Sequence, residues 1–253
     1  MSVLKSLCIA FSIYSKIPVP QFDWKEKDMQ YSLIFFPWVG AAVGGAEWLW
    51  LLVAETFKIG MLAFALVGVA LPLLVTGGFH MDGYMDTMDA LHSYRSREEK
   101  LAILKDPHIG AFSVIMLVIY LMIEVAGFSE IQSKKAYVCM CGGFFLARAL
   151  SGLMVVSLPA AKKDGLLVTF AATAHRSVVR AALTVQVVAG IGFLFAWGSL
   201  AAVVIVDAML LFLLFYIYRM RKQFGGITGD TAGYFVTICE LLAVLGAAVG
   251  SRL

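Results

Sequence analysis

Residues 59–75, IGMLAFALVGVALPLLV, are followed at once by residues 76–91, TGGFHMDGYMDTMDAL, in which Gly77-Gly78 breaks the span. The first part carries no charge and, at about 1.5 Å per residue, is long enough to cross most of a hydrocarbon layer. The second carries three aspartates and no Lys or Arg. A membrane segment is thus joined directly to a concentration of acidic groups, and both fold and chemistry can be read outward from this junction.

Comparable apolar runs occupy residues 31–54, 111–127, 137–156, 181–197, 200–218 and 234–250. The 253 residues are 61% hydrophobic and only 15% charged, against about 25% charged in soluble domains. The pattern predicts an all-α, polytopic transmembrane helical bundle of about seven spans, forming one integral membrane domain over residues 1–253. Ahead of it, Val3, Leu4, Leu7, Phe11 and Tyr14 recur at helical spacing, which predicts an N-terminal interfacial amphipathic helix. Lys16-Ile17-Pro18 follows that run in place of a small-residue cleavage site, so it does not read as a signal peptide.

With the N-terminus inside, fifteen of the 20 Lys and Arg residues fall on inner segments, and Lys58, Lys134, Lys135 and Arg252 fall outside. The positive-inside rule therefore places the N-terminus in the cytoplasm, and the expected location is the cytoplasmic (inner) membrane. The net charge of +3 follows from this loop bias and leaves no nucleic-acid patch. Cys8, Cys139, Cys141 and Cys239 sit in apolar surroundings without zinc or thioredoxin spacing and imply packing rather than disulfides.

Polar sequence is concentrated on the inner side, in residues 15–30, 76–110, 158–178 and 219–233. A transporter would place it at broken helices near mid-membrane; here the reactive side chains gather in the inner loop 76–110. Asp82, Asp86 and Asp89 are spaced i, i+4, i+7 and share roughly a 60° arc of a helix. Like charges on one face require neutralisation. An all-oxygen set suits Mg²⁺, or Mn²⁺, with substrate phosphates completing the shell.

Gly83 reads either as a simple break near the helix start or as an opening for a phosphate to reach the backbone. His80 can be a ligand, a substrate contact or an interfacial residue. Arg95, Arg97 and Lys100 can hold phosphate or face lipid headgroups. Lys105 and Asp106 precede Pro107 and Gly110 at the start of a span, where Asp106 can join the metal site. The Gly-rich stretch 224–233, with Gly226, Thr228 and Asp230, can cradle a phosphate and a metal, or cap a helix through Thr228 or Asp230. Within the spans, Arg148 and Glu240 lie at matching depth, to pair or to face the active cavity. Glu47, Glu124 and Asp207 lie in the outer halves.

These motifs resemble the cobalamin synthase family (adenosylcobinamide-GDP ribazoletransferases). The resemblance rests on Lys16-Ile17-Pro18-Val19-Pro20, Phe36-Pro37 with Gly40, the 76–89 stretch, Lys105-Asp106 with Ile109-Gly110, residues 225–231 and Glu240. Pro107, His108 and the surroundings of Arg148 depart from the family's usual residues. The resemblance implies a Mg²⁺-dependent transfer in which a ribose hydroxyl of α-ribazole, or of its 5′-phosphate, attacks the cobinamide-linked phosphorus of adenosylcobinamide-GDP and expels GMP. It assigns metal binding to Asp82, Asp86, Asp89, Asp106 and Asp230, with Asp89 and Asp86 as the catalytic pair and Asp89 as candidate base. Substrate contacts are Gly83, His80, Arg95, Arg97, Lys105, Gly226, Thr228, Arg148 and Glu240, with Lys162 and Lys163 as further phosphate or corrinoid contacts. The implied partners are these small molecules and the lipid bilayer, with a homo-oligomer or neighbouring corrinoid-assembly enzymes as further associations. The rivals are a CDP-alcohol phosphotransferase, whose Asp-x-x-Asp-Gly-x-x-Ala-Arg spacing is absent, and a cation transporter using Glu47, Asp207 and Glu240.

Overall fold

The structure is a computed structural model that describes residues 3–20, 25–162, 174–197 and 200–252; Lys163 lies outside these. Ten α-helices follow one another among the described residues: α1 Val3–Tyr14, α2 Phe36–Phe57, α3 Met61–Thr76, α4 Phe79–His92, α5 Arg97–Ile103, α6 Ala111–Ser129, α7 Lys134–Ser157, α8 Arg176–Ala196, α9 Leu200–Phe224 and α10 Gly229–Gly250. A 3-10 helix, Glu26–Phe35, feeds α2. Six helices are long and apolar enough to cross a bilayer, and α3 and α4 meet at a bend of 98°. The chain is a multi-pass membrane protein.

Small residues decide the packing. Helix α7 runs through the middle, and Gly40 and Gly44 of α2 bring that helix onto the α7 backbone at Phe144 and Cys141. Methyl groups there would collide with main-chain atoms, so only glycine permits so close a crossing. Across the bundle, α10 packs on α4, α6, α7 and α9.

The bend that sets the site lies at Gly77 and Gly78, both left-handed at φ 67° and 76°; Pro72 lies inside α3 just ahead of it. Gly78 N–H donates to Leu73 O at 3.0 Å, satisfying an end carbonyl as a Schellman-type cap does. The Lys16 side chain lies over Gly77, and Lys16 N–H donates to Val75 O at 2.8 Å. The span therefore ends where the glycine pair predicts. Helix α1 is present, with Val3 and Leu4 outward and Ile9, Ala10 and Tyr14 inward.

Two expectations change. The 76–110 loop is mostly helix, and α4 starts at Phe79 and passes through Gly83 without interruption. The 219–233 loop shrinks to residues 225–228, because α9 continues through Arg219, Arg221 and Lys222 while α10 begins at Gly229. Charged residues end a hydrophobic run but not a helix; backbone hydrogen bonds carry on into the interface.

Candidate active site

Helix α4 packs against α6 and the first turns of α10. Gly83 touches the Asp230 main chain: a Cβ there would stand 2.7 Å from Asp230 O, and one on Gly233 3.1 Å from His80 O. Tyr84 stacks on Tyr234 at 6.0 Å and donates to Met116 O at 3.1 Å, while Ser113 donates to Met85 O at 3.0 Å. The missing side chain of Gly83 thus serves helix crossing, and the room expected for a phosphate is filled by α10.

This crossing brings Asp230 to the acidic stripe. Asp82 is exposed, and Asp86 and Asp89 are half-buried. Partial burial, then the charges of Asp82 and Asp230, with a smaller push from Asp89, raise the Asp86 carboxyl to about 6 against the pull of Lys162. Lys162 Nζ stands 3.4 Å from Asp230 Oδ2 and 3.4 Å from Leu104 O. Its place is fixed by a short parallel bridge, in which Ile227 N–H donates to Pro159 O at 3.0 Å and Ala161 N–H to Ile227 O at 2.8 Å. Gly226 is pressed against Pro159 and Ala160 by the same bridge. The resemblance offers Lys162 as a phosphate or corrinoid contact; nothing local in the sequence reveals that it faces Asp230.

Thr228 caps α10, accepting from Thr231 N–H at 3.1 Å while its own N–H donates to Thr231 Oγ1 at 2.8 Å. Its hydroxyl also donates to Asp230 Oδ2 at 3.3 Å. The Asp89 carboxylate rests on Gly110, the N-cap of α6, where the partial positive charge of the helix start favours it. Arg97 lies over Gly225. Lys100 is buried with Nζ 2.5 Å from Gln223 Oε1. Arg95 forms an exposed pair with Glu99 at 3.6 Å, and Lys105 sits at the turn after α5.

Asp106 is not drawn into the group. It accepts from His108 N–H at 3.0 Å and contacts His108 Nδ1 at 2.6 Å, and these bonds hold its carboxyl below the usual range. His80, Arg148 and Glu240 are also placed otherwise than substrate contacts would be. His80 is buried among Tyr14, Phe36 and Phe79. Arg148, fully buried, pairs with Glu240 at 2.7 Å and donates to Phe144 O at 3.0 Å. All three lie beneath the acidic face and support it.

The gathered groups are hard oxygen donors rimmed by cations, a set that suits a divalent ion shared with phosphate. Among the described residues no three His, Cys, Asp or Glu side chains converge on one point, so ligands from a substrate would have to complete such a shell.

A family model described as cobalamin-5-phosphate synthase matches residues 6–248. An adenosylcobinamide-GDP ribazoletransferase of Lachnoclostridium phytofermentans is 42% identical over 250 residues, 98% of this chain and 95% of that protein. One of Desulfitobacterium hafniense is 31% identical over 98% of each chain. One of Clostridium perfringens is 29% identical over 95% of this chain and 96% of its own. No solved structure matches. Matched almost from end to end, the chain belongs to the cobalamin-5-phosphate synthase family.

Proposed function

We propose that the protein is a Mg²⁺-dependent adenosylcobinamide-GDP ribazoletransferase of the cytoplasmic membrane, with its N-terminus and acidic face toward the cytoplasm. The observation that carries this reading is the meeting of Asp82, Asp86 and Asp230 with Lys162 at the α4–α10 crossing. Phosphoryl transfer needs positioning and charge neutralisation more than covalent help. Asp82, Asp86 and Asp230 would hold Mg²⁺ (or Mn²⁺) together with diphosphate oxygens of adenosylcobinamide-GDP. When bound, the ion offsets the charge that builds on the phosphorus oxygens.

The ribose hydroxyl of α-ribazole, or of its 5′-phosphate, attacks the cobinamide-linked phosphorus, and the bond to the GMP oxygen breaks. The half-buried pair Asp86 and Asp89 receives the hydroxyl proton. Lys162, Arg97 and Lys100 border the leaving phosphate. The product is adenosylcobalamin or its 5′-phosphate. The bias of Lys and Arg toward this end of the bundle supports the cytoplasmic orientation.

The test is GMP release from adenosylcobinamide-GDP and α-ribazole 5′-phosphate in liposomes, with Mg²⁺ or with EDTA. Release that needs the ion and disappears in Asp82→Ala and Asp86→Ala supports the reading. A folded wild-type protein that releases no GMP overturns it.

A further inference from the structure

Four carboxylates lie within the apolar stretches of the spans, and three turn inward to a partner. Glu47 accepts from Tyr137 at 2.8 Å, Glu124 accepts from Tyr120 at 3.1 Å, and Glu240 pairs with Arg148. Asp207 turns outward: it is exposed on α9 and makes no polar contact among the described residues.

Its depth follows from the helix. Arg219 and Lys222 at the end of α9 lie over the Phe215 and Tyr218 rings, an arrangement suited to the headgroup level. Asp207 is about 18 Å from Arg219 along the helix and about 10 Å from Leu200, where α9 begins. It therefore stands well inside a hydrocarbon layer about 30 Å thick. Its side chain is too short to reach either surface, and a carboxylate at that depth is normally buried or paired. Around it Val203, Leu210, Leu211, Leu214 and Tyr218 are exposed on the same side of α9, at spacings of three and four residues. That is the pattern of a helix–helix seam interrupted by one polar position.

We propose that this seam of α9 docks on the same seam of a second copy of the chain, with the two Asp207 carboxyls meeting across a two-fold axis. A two-fold contact is self-complementary, so the groove that one Asp207 lacks is supplied by the other. Two facing carboxyls that share one proton hydrogen-bond to each other in an apolar medium and satisfy the acid without a foreign cation. The chain's own intramembrane cation, Arg148, is already buried against Glu240 and is not available to pair with it.

The native cysteines are all buried, which leaves a low background for cross-linking. Leu214→Cys lies on the seam, and Val188→Cys, exposed on α8, is the control. Both are reconstituted at low density in phosphatidylethanolamine–phosphatidylglycerol vesicles and oxidised. Leu214→Cys is expected to give about fivefold more covalent dimer than Val188→Cys. Adding Asp207→Leu, which lipid tolerates, is expected to lower that yield about fivefold, because leucine faces gain little over lipid contact. Adding Asp207→Asn, which retains hydrogen bonding, should keep the yield within about twofold. Equal cross-linking at the two sites, or a yield indifferent to Asp207→Leu, overturns the proposal.

Discussion

Gly83 of α4 and Asp230 of α10 touch through the main chain, so the helix bearing the acidic stripe is held directly against the start of the helix that supplies the fourth carboxylate. The two helices have no slack at this point. Gly83→Ala should push them apart and cost about 1–3 kcal/mol, as overpacked crossings do. Because a displacement of about 1 Å can cost 10²-fold in rate, GMP release should fall by about that factor while the thermal transition drops by only a few degrees.

Asp86 sets a conflict between folding and chemistry. Its carboxyl is raised from 3.8 to about 6 in the folded protein. A carboxyl raised on folding adds stability below its unfolded value and loses it as pH climbs through the folded one. Above about 6 the ionised group therefore weighs against the fold. Asp86→Asn should stabilise the protein at pH 7 by about 1 kcal/mol, after allowance for solvent screening, and abolish turnover. Melting curves across this window check the sign: the gain should be full above about 6, roughly halved at about pH 5 and gone below the unfolded value of 3.8.

Lys162 is the cation that opposes this upward shift. In Lys162→Met, the acid limb of the pH–rate profile should move to higher pH, and GMP release at neutral pH should fall about tenfold. Lys162→Arg should restore most of the rate. A profile unchanged in Lys162→Met would remove Lys162 from the site's electrostatics.

Beneath the site, the Arg148–Glu240 pair should behave as buried pairs do when one partner is deleted. Arg148→Met alone should cost about 3–5 kcal/mol by leaving a charge uncompensated. The double replacement Arg148→Met with Glu240→Leu should recover much of the loss. Thermal unfolding in detergent of the three variants measures the coupling directly.

The bundle, the end of the span at Gly77-Gly78 and the shared face of Asp82, Asp86 and Asp89 were legible in the sequence, because each rests on local chemistry. They depend on hydrophobic length, on paired glycines as helix breakers, and on helical periodicity. What could not be read is what crosses between elements. Asp106 has the same residue type and proximity in sequence as a ligand would, yet it is held by His108. Asp230, far along the chain, is assigned to the metal site by the resemblance, but the sequence does not show that Gly83 and Gly233 let two helices close to bring it to the stripe. His80 looks reactive beside the stripe, but its position on α4 turns it inward among aromatic rings. The charged ends of α9 and α10 read as loop because hydropathy reports the thickness of the bilayer, not the extent of the helix.

The 98° bend between α3 and α4 has a mechanical consequence. Only Gly77 and Gly78 separate the end of α3 from the start of α4, so the helix that carries the acidic stripe has no free linker and cannot shift without taking the end of α3 with it.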